Sequence, residues 1–478
     1  MLFGVISAQM DGMRSNVGSI LKRASLTTII GKSVWLSVGA IIFLGACTVQ
    51  ASKGMELSPQ STPERSTEPA SEPTRILENL ETASVLTSFT YTYHNPDGNR
   101  YVVGRGAIHQ STPLDIELSG TPSWVLGAPF MGGSLWIVVL ENGRVEAYHI
   151  VDRVAQSIEI VPGLIPPGMP PLLAVQDQHV SLLTASEEDA ATLTHPILLA
   201  NGTMVYIREE GDLVFRMDDV EEHLPLAALP DARLISDGDD GIILLTGKSD
   251  RYGHGVLGDK LEATSLTWVS VIPAPEVHLT IDISDPVVIE GIAPIWADLN
   301  GDGQREIIVT LSDQDHGARL VAYDGQGNKV ASNEPIGSGY RWLHQLAVAP
   351  FGPDGEFELV VVRTPHIGGV VEFYQLKDET LRRTASIGGF SSHKLGSRNL
   401  DMAVAGDFDG DGNVELLIPE HDLRSIGAIR RIGDDALVSW RLSLEGKLST
   451  NIASASLPGG TLALGVGTEE GVMRLWLP

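Results

Sequence analysis

Three stretches of this chain repeat one pattern, and that repetition constrains the fold more than any other feature. WADLNGDGQREIIV from Trp296, VAPFGPDGEFELVV from Val348 and AGDFDGDGNVELLI from Ala405 each carry Asp-Gly, two further residues, and a Glu that opens a β-branched apolar run. A second strand-like run follows each after a short loop, at 317–324, 368–376 and 427–433. The runs WIVVL (136–140), IILLT (242–246), EIIVT (306–310), ELVVV (358–362) and ELLIP (415–419) are short, apolar and bounded by turn residues, so they read as strands. The 51 glycines and 27 prolines supply the turns that so many short strands need.

Weaker copies at 124–140, 171–185, 231–247 and 453–477 bring the number of units to seven. Their spacing of roughly 50 to 60 residues suits the four-stranded blades of a β-propeller. The expected architecture is therefore all-β, a propeller of seven four-stranded blades over residues 85–478; two stacked β-domains are the alternative. The closing unit carries too few strands. One from the amino-terminal side, at 87–94 or 100–110, is expected to complete it and so remove an exposed sheet edge.

The turns inside the best repeats carry oxygen ligands at alternate positions. Asp298, Asn300, Asp302 and Glu306 stand at positions one, three, five and nine of one loop; Asp407, Asp409, Asp411 and Glu415 take the same places in another. Alternate residues of a tight loop can converge on one point, and calcium takes about six to eight hard oxygens. Gly303 and Gly412 permit the sharp turn, and the carbonyls of Gln304 and Asn413 are the expected position-seven donors. Two structural Ca2+ ions are expected. An EF-hand would place a glutamate at position twelve, where this chain has Val309 and Ile418 inside strands. In the middle repeat Pro350 and Gly352 replace the first two ligands and leave Asp354 and Glu358, so no calcium is expected there.

This pattern, over roughly 294–431, resembles the FG-GAP/VCBS repeat family of integrin α-like propellers. The resemblance implies that each loop joins the first two strands of a blade and binds calcium structurally.

The single cysteine of the chain, Cys47, ends the run LGAC. It follows the apolar segment 33–46, itself preceded by Lys22, Arg23 and Lys32, the charge and hydropathy pattern of a secretory signal. The run resembles the bacterial lipobox, which implies cleavage after residue 46 and lipidation of Cys47. Residues 47–84 are rich in Ser, Thr, Pro and Glu and read as a disordered tether. The expected location is extracytoplasmic, lipid-anchored to the bacterial cell membrane or outer membrane.

A net charge of −28 argues against nucleic-acid binding, which needs a clustered basic face. The loops between second and third strands place His254, His316, His366 and His421 at similar points of four units. Connections between units add Arg341, His344, His393 and Arg398, and the same loops carry Arg251 and Arg363. These ten residues are candidates to gather at the channel mouth as a pocket for an anionic or polyhydroxylated ligand, or a metal. Loop histidines also commonly satisfy nearby backbone groups. No nucleophile elbow, phosphate loop or zinc spacing is present, so no catalytic residue is assigned. Two function classes stay open: a non-catalytic module binding a glycan, protein or other envelope component, and a lyase- or dehydrogenase-type enzyme using the His/Arg cluster. Propellers host both.

Overall fold

A computed structural model describes residues 88–478, apart from residue 93 and the short stretches 177–178, 186–188, 218–219 and 237–240. The signal-like segment, Cys47 and the tether lie outside the described residues. Those described form strands throughout, with one short 3-10 turn at Ile108–Gln110.

The strands pair as successive antiparallel meanders, and the fold is a β-propeller. Four-stranded meanders occupy 122–158, 197–225, 235–282, 295–332, 343–388 and 404–443. A seventh is made of Ala453–Leu457, Thr461–Gly467, Val472–Trp476 and the amino-terminal strand Leu114–Glu117. An additional meander, Leu172–Gln176 with His179–Leu183, gains a third strand from Ser88–Tyr91. The unit at 197–225 escapes the sequence pattern because its turn, Asn201-Gly202, lacks the acidic loop and its first strand has two residues.

Each sequence-identified apolar run is the second strand of its meander, and Glu306–Ser312, for example, is buried along its whole length. A middle strand packs against neighbouring units on both faces, so it reads as a continuous apolar run rather than an alternating one. Ile308 and Leu320 of one unit share a core with Val348, Leu359 and Val361 of the next. Val360, Val362 and Phe373 in turn pack with Leu416 and Ile418. Burying each such side chain contributes about 1.5–3 kcal/mol.

The ring closes through a strand that the sequence reading did not choose. Leu114–Glu117 pairs antiparallel with Val472–Trp476, and Arg474 clamps Asp115 at 2.7 and 2.6 Å. The segments at 87–94 and 100–110, expected to play that part, instead line the first strands of the units. Ser88–Tyr91 runs antiparallel to Leu172–Gln176, and Tyr101–Arg105 runs parallel to Val404–Asp407. Between them, Pro96 and Asp97 accept backbone hydrogen bonds from Ser236 and Trp296, while the Asn99 side chain bonds both the N–H and C=O of Val348. Gly98 adopts φ +72°, and a Cβ there would lie 2.6 Å from the Pro294 carbonyl oxygen. The chain thus lays a hairpin-like turn along its own axis, which a pattern based on repeats has no means of detecting.

Candidate functional site: carboxylate loops and a histidine cluster

Both acidic loops form the turn that the sequence implies, between the first and second strands of their units. Gly303 and Gly412 have φ of +86° and +91°. In the first loop Asp298 accepts N–H bonds from Asn300, Gly301, Asp302 and Gly303, and Asp302 accepts one from Gln304. In the second, Asp407 accepts from Gly410 and Gly412, Asp409 from Asp411, and Asp411 from Asn413. The backbone therefore holds the carboxylates in place.

The two loops differ in how closely the carboxylates approach. Oxygens of Asp407, Asp409 and Glu415 all lie within 4.8 Å of one another, the one such group of three among the described residues. Asp298, Asp302 and Glu306 do not converge as tightly. Asp411 is drawn aside, with Oδ2 bonded to Arg430 at 2.5 Å.

Glu415 is fully buried; its Oε2 accepts the Phe408 N–H at 3.0 Å, and its Oε1 has no hydrogen-bond partner. Burial, followed by the Asp409 charge, pushes its carboxyl up to about 8. A buried carboxylate oxygen without a partner is costly. A cation held by Asp407, Asp409 and Glu415 would remove that cost, so these residues fit a hard divalent ion. Glu306 repeats the motif, with Oε2 on the Leu299 N–H at 2.8 Å and burial again raising its carboxyl.

In the middle repeat a guanidinium meets the buried glutamate. Glu358 is as buried as its counterparts, and Arg431 of the following unit bonds it at 2.8 and 3.3 Å.

At the other ends of the strands the ten candidate His and Arg residues divide into two sets. Six serve local structure. Arg251 bonds the carbonyls of Ile283 and Val287, and Arg341 that of Ile336. Arg363 pairs with Glu372 at 2.9 Å, and Arg398 with Asp231 at 2.6 Å and with Asp259. His316 is mostly exposed and bonds Asp313 at 2.9 Å, while the backbone N–H of His421 bonds the Gly389 carbonyl. The expected gathering of all ten at one mouth is not formed, because most of the arginines have carboxylate or carbonyl partners closer to hand.

His254, His344, His366 and His393 do come together. His366 and His393 meet Nε2 to Nε2 at 2.8 Å. His344 stacks on Trp342 at 4.6 Å, lies 5.8 Å from His393, and bonds the Ser392 hydroxyl at 2.7 Å. His254 stacks on Tyr340 and bonds Glu290 Oε1 at 2.5 Å. Burial pushes His344 well below the usual imidazole range, helped by Arg100, and does the same to His393, helped by His366. A cavity of about 30 Å3 opens beside His254, Tyr340, Trp342 and His366. That is the volume of roughly one water molecule, too small to enclose a sugar.

Glu290 escaped the sequence reading, although a single acid inside the apolar run VVIEGIAP marks a buried carboxylate. Asp401, in NLDMAV, is the same kind of signal. It is buried on the axis with Arg100 at 2.7 Å and Arg233 at 3.1 and 2.5 Å. Burial alone would raise its carboxyl, but the Arg233 and Arg100 guanidiniums outweigh burial and hold it well below the usual range.

No protein-family model matches the chain, and no curated protein is significantly similar to it in sequence. Solved structures similar to it include a chain of the mitotic checkpoint complex (12% identity, TM-score 0.41, covering 77% of this chain and 96% of that one). BamB from Moraxella catarrhalis is similar at 11% identity and TM-score 0.39, over 83% and 98% of the two chains. The C-terminal WD40 domain of Sif2 is similar at 9% identity and TM-score 0.42, over 76% and 99%. Likenesses of this size say nothing of what the chain binds, and the propeller assignment rests on the strand pairing above.

Proposed function

We propose that this chain is an extracytoplasmic, lipid-anchored β-propeller of the FG-GAP/VCBS kind, braced by calcium and acting as a non-catalytic module that binds a partner of the cell envelope. The observation that carries the calcium reading is the meeting of Asp407, Asp409 and Glu415 around a buried Glu415 oxygen that has no partner. Calcium there, and in the sister loop at 298–306, would tie the first strand of a unit to its second. An ion whose coordination is filled by the protein braces the fold and leaves no open position for chemistry.

A cavity of about 660 Å3 beside the amino-terminal segment is lined mostly by apolar and hydroxyl side chains, with Asn95 and His94. The non-catalytic reading is supported by the cavity beside the histidines, which has room for little more than a water. Tyr340 and Ile367 border that cavity and are exposed, an apolar and aromatic rim fit for contact with a macromolecule such as a protein or glycan. The enzyme reading has one observation in its favour, two pairs of titratable groups within hydrogen-bonding distance, His254–Glu290 and His366–His393.

Fractionating cells that express the full chain tests the location, with Ca2+ and chelator arms testing the brace. The parent is expected in the membrane fraction, with a melting temperature that falls on chelation. Recovery in the cytosol, or a melting temperature indifferent to chelator, would count against the reading.

A further inference from the structure

The His366–His393 contact is unusual for what it leaves unsatisfied. A neutral imidazole carries one proton on two nitrogens, so of two facing Nε2 atoms only one need donate. Burial, followed by His254, lowers the His366 imidazole, and burial with His366 and His254 lowers that of His393. His393 is 1% exposed, and its Nδ1 is buried without a hydrogen-bond partner.

His254 borders the same cavity as His366 and comes from a different unit. Its Nδ1 is engaged by Glu290, whose second oxygen accepts the Ser312 hydroxyl, so Nε2 is the nitrogen left for a ligand. A carboxylate behind an imidazole fixes the tautomer and raises the basicity of the other nitrogen, the arrangement that supports metal-ligating histidines. The cavity, about 30 Å3, suits an ion with a water rather than an organic ligand. Imidazole nitrogens select a borderline cation of the zinc type over calcium, which prefers oxygen.

We propose that His366 and His393, with His254 as third ligand, hold one divalent transition-metal ion of the zinc class at the strand ends opposite the carboxylate loops. Two nitrogens on a tetrahedral zinc stand about 3.3 Å apart, so the pair opens by roughly half an ångström from its 2.8 Å separation. His254 does not yet lie within 4.8 Å of both partners, so it closes in across the cavity or binds through a water. His366, half-buried in the loop between Arg363 and Val370, is the more accessible of the pair.

The test is Zn2+ titration of the chelator-treated full-length protein by calorimetry, with Co2+ as a visible-absorption reporter of nitrogen ligation. One equivalent is expected, with affinity unchanged in a D409A/E415Q variant. Affinity should fall at least tenfold in H366A and about 10- to 100-fold in E290Q. If H393A fails to fold, H366A alone decides the matter, because its side chain is not part of the core. Zn2+ binding that survives H366A, or that disappears with D409A/E415Q, would overturn the proposal by assigning the ion to the carboxylate loops alone. A Co2+ complex lacking the absorption of tetrahedral nitrogen ligation would do the same.

Discussion

Glu358 and Glu415 hold the same place in consecutive repeats, yet Arg431 neutralises one while the other keeps a buried oxygen with no partner. The repeat that lost its alternate oxygen ligands has gained a guanidinium from the next unit. The repeat that kept them has none at its glutamate. Removing one partner of a buried pair leaves an uncompensated charge. Arg431→Met should therefore destabilise the propeller by about 3–5 kcal/mol in saturating Ca2+. Adding Glu358→Gln to that variant should restore much of the loss. Denaturant unfolding measures both, and a single variant as stable as the parent would contradict the pairing.

The axial segment gives a second prediction. Asn99 satisfies the N–H and the C=O of Val348, each at 2.9 Å. Asn99→Ala leaves both buried groups without that partner and should cost about 1–3 kcal/mol. Hydrogen exchange should then quicken at Val348 and along 343–349, while the distant strand Gly133–Leu140 is unaffected. Uniform protection in the variant would show that the segment does not bind the axis as described.

How far the sequence was legible depended on whether a structural role leaves a local mark. Second strands such as Glu306–Ser312 and Glu415–Pro419 were readable because burial on both faces demands unbroken apolar runs. The acidic turns were readable because their ligands are only two residues apart. Closure through Leu114–Glu117 was not, since LDIE pairs with a strand more than 350 residues away and carries no signature of its own. The arginines misled for a related reason. Arg363 and Arg398 have the composition of a binding face, but each meets an acid, Glu372 or Asp231, that only the fold brings near.

Two buried histidines should weaken the fold in acid. His94 is pushed down to about 4 by burial and then by Arg233, and His195 is held well below the usual imidazole range by the same two causes. Unfolded, both take a proton near pH 6.5; folded, they stay neutral until the pH reaches about 4 for His94. For these two histidines the unfolded state thus holds more protons between those values, so their contribution to stability falls as pH drops through that window, while Glu415, raised to about 8, contributes the opposite slope. Each such histidine contributes a slope of about 1.4 kcal/mol per pH unit. His195→Gln should flatten the slope measured by denaturant titration from pH 7 to 4.5; an unchanged slope would exclude His195 as a source.

Cys47→Ala should move the protein from the membrane fraction to a soluble extracytoplasmic or precursor pool. Continued membrane retention would remove the lipid anchor from the account.

The central claim is that Asp407, Asp409 and Glu415 hold calcium. Thermal and denaturant unfolding of the full chain, with Ca2+ at about 100 times its dissociation constant and again with chelator, tests it most directly. A stabilisation of about 2.7 kcal/mol per site is expected in the parent, with one site's share lost in D409A and E415Q. A parent that gains nothing from Ca2+, or variants that gain as much as the parent, would contradict it.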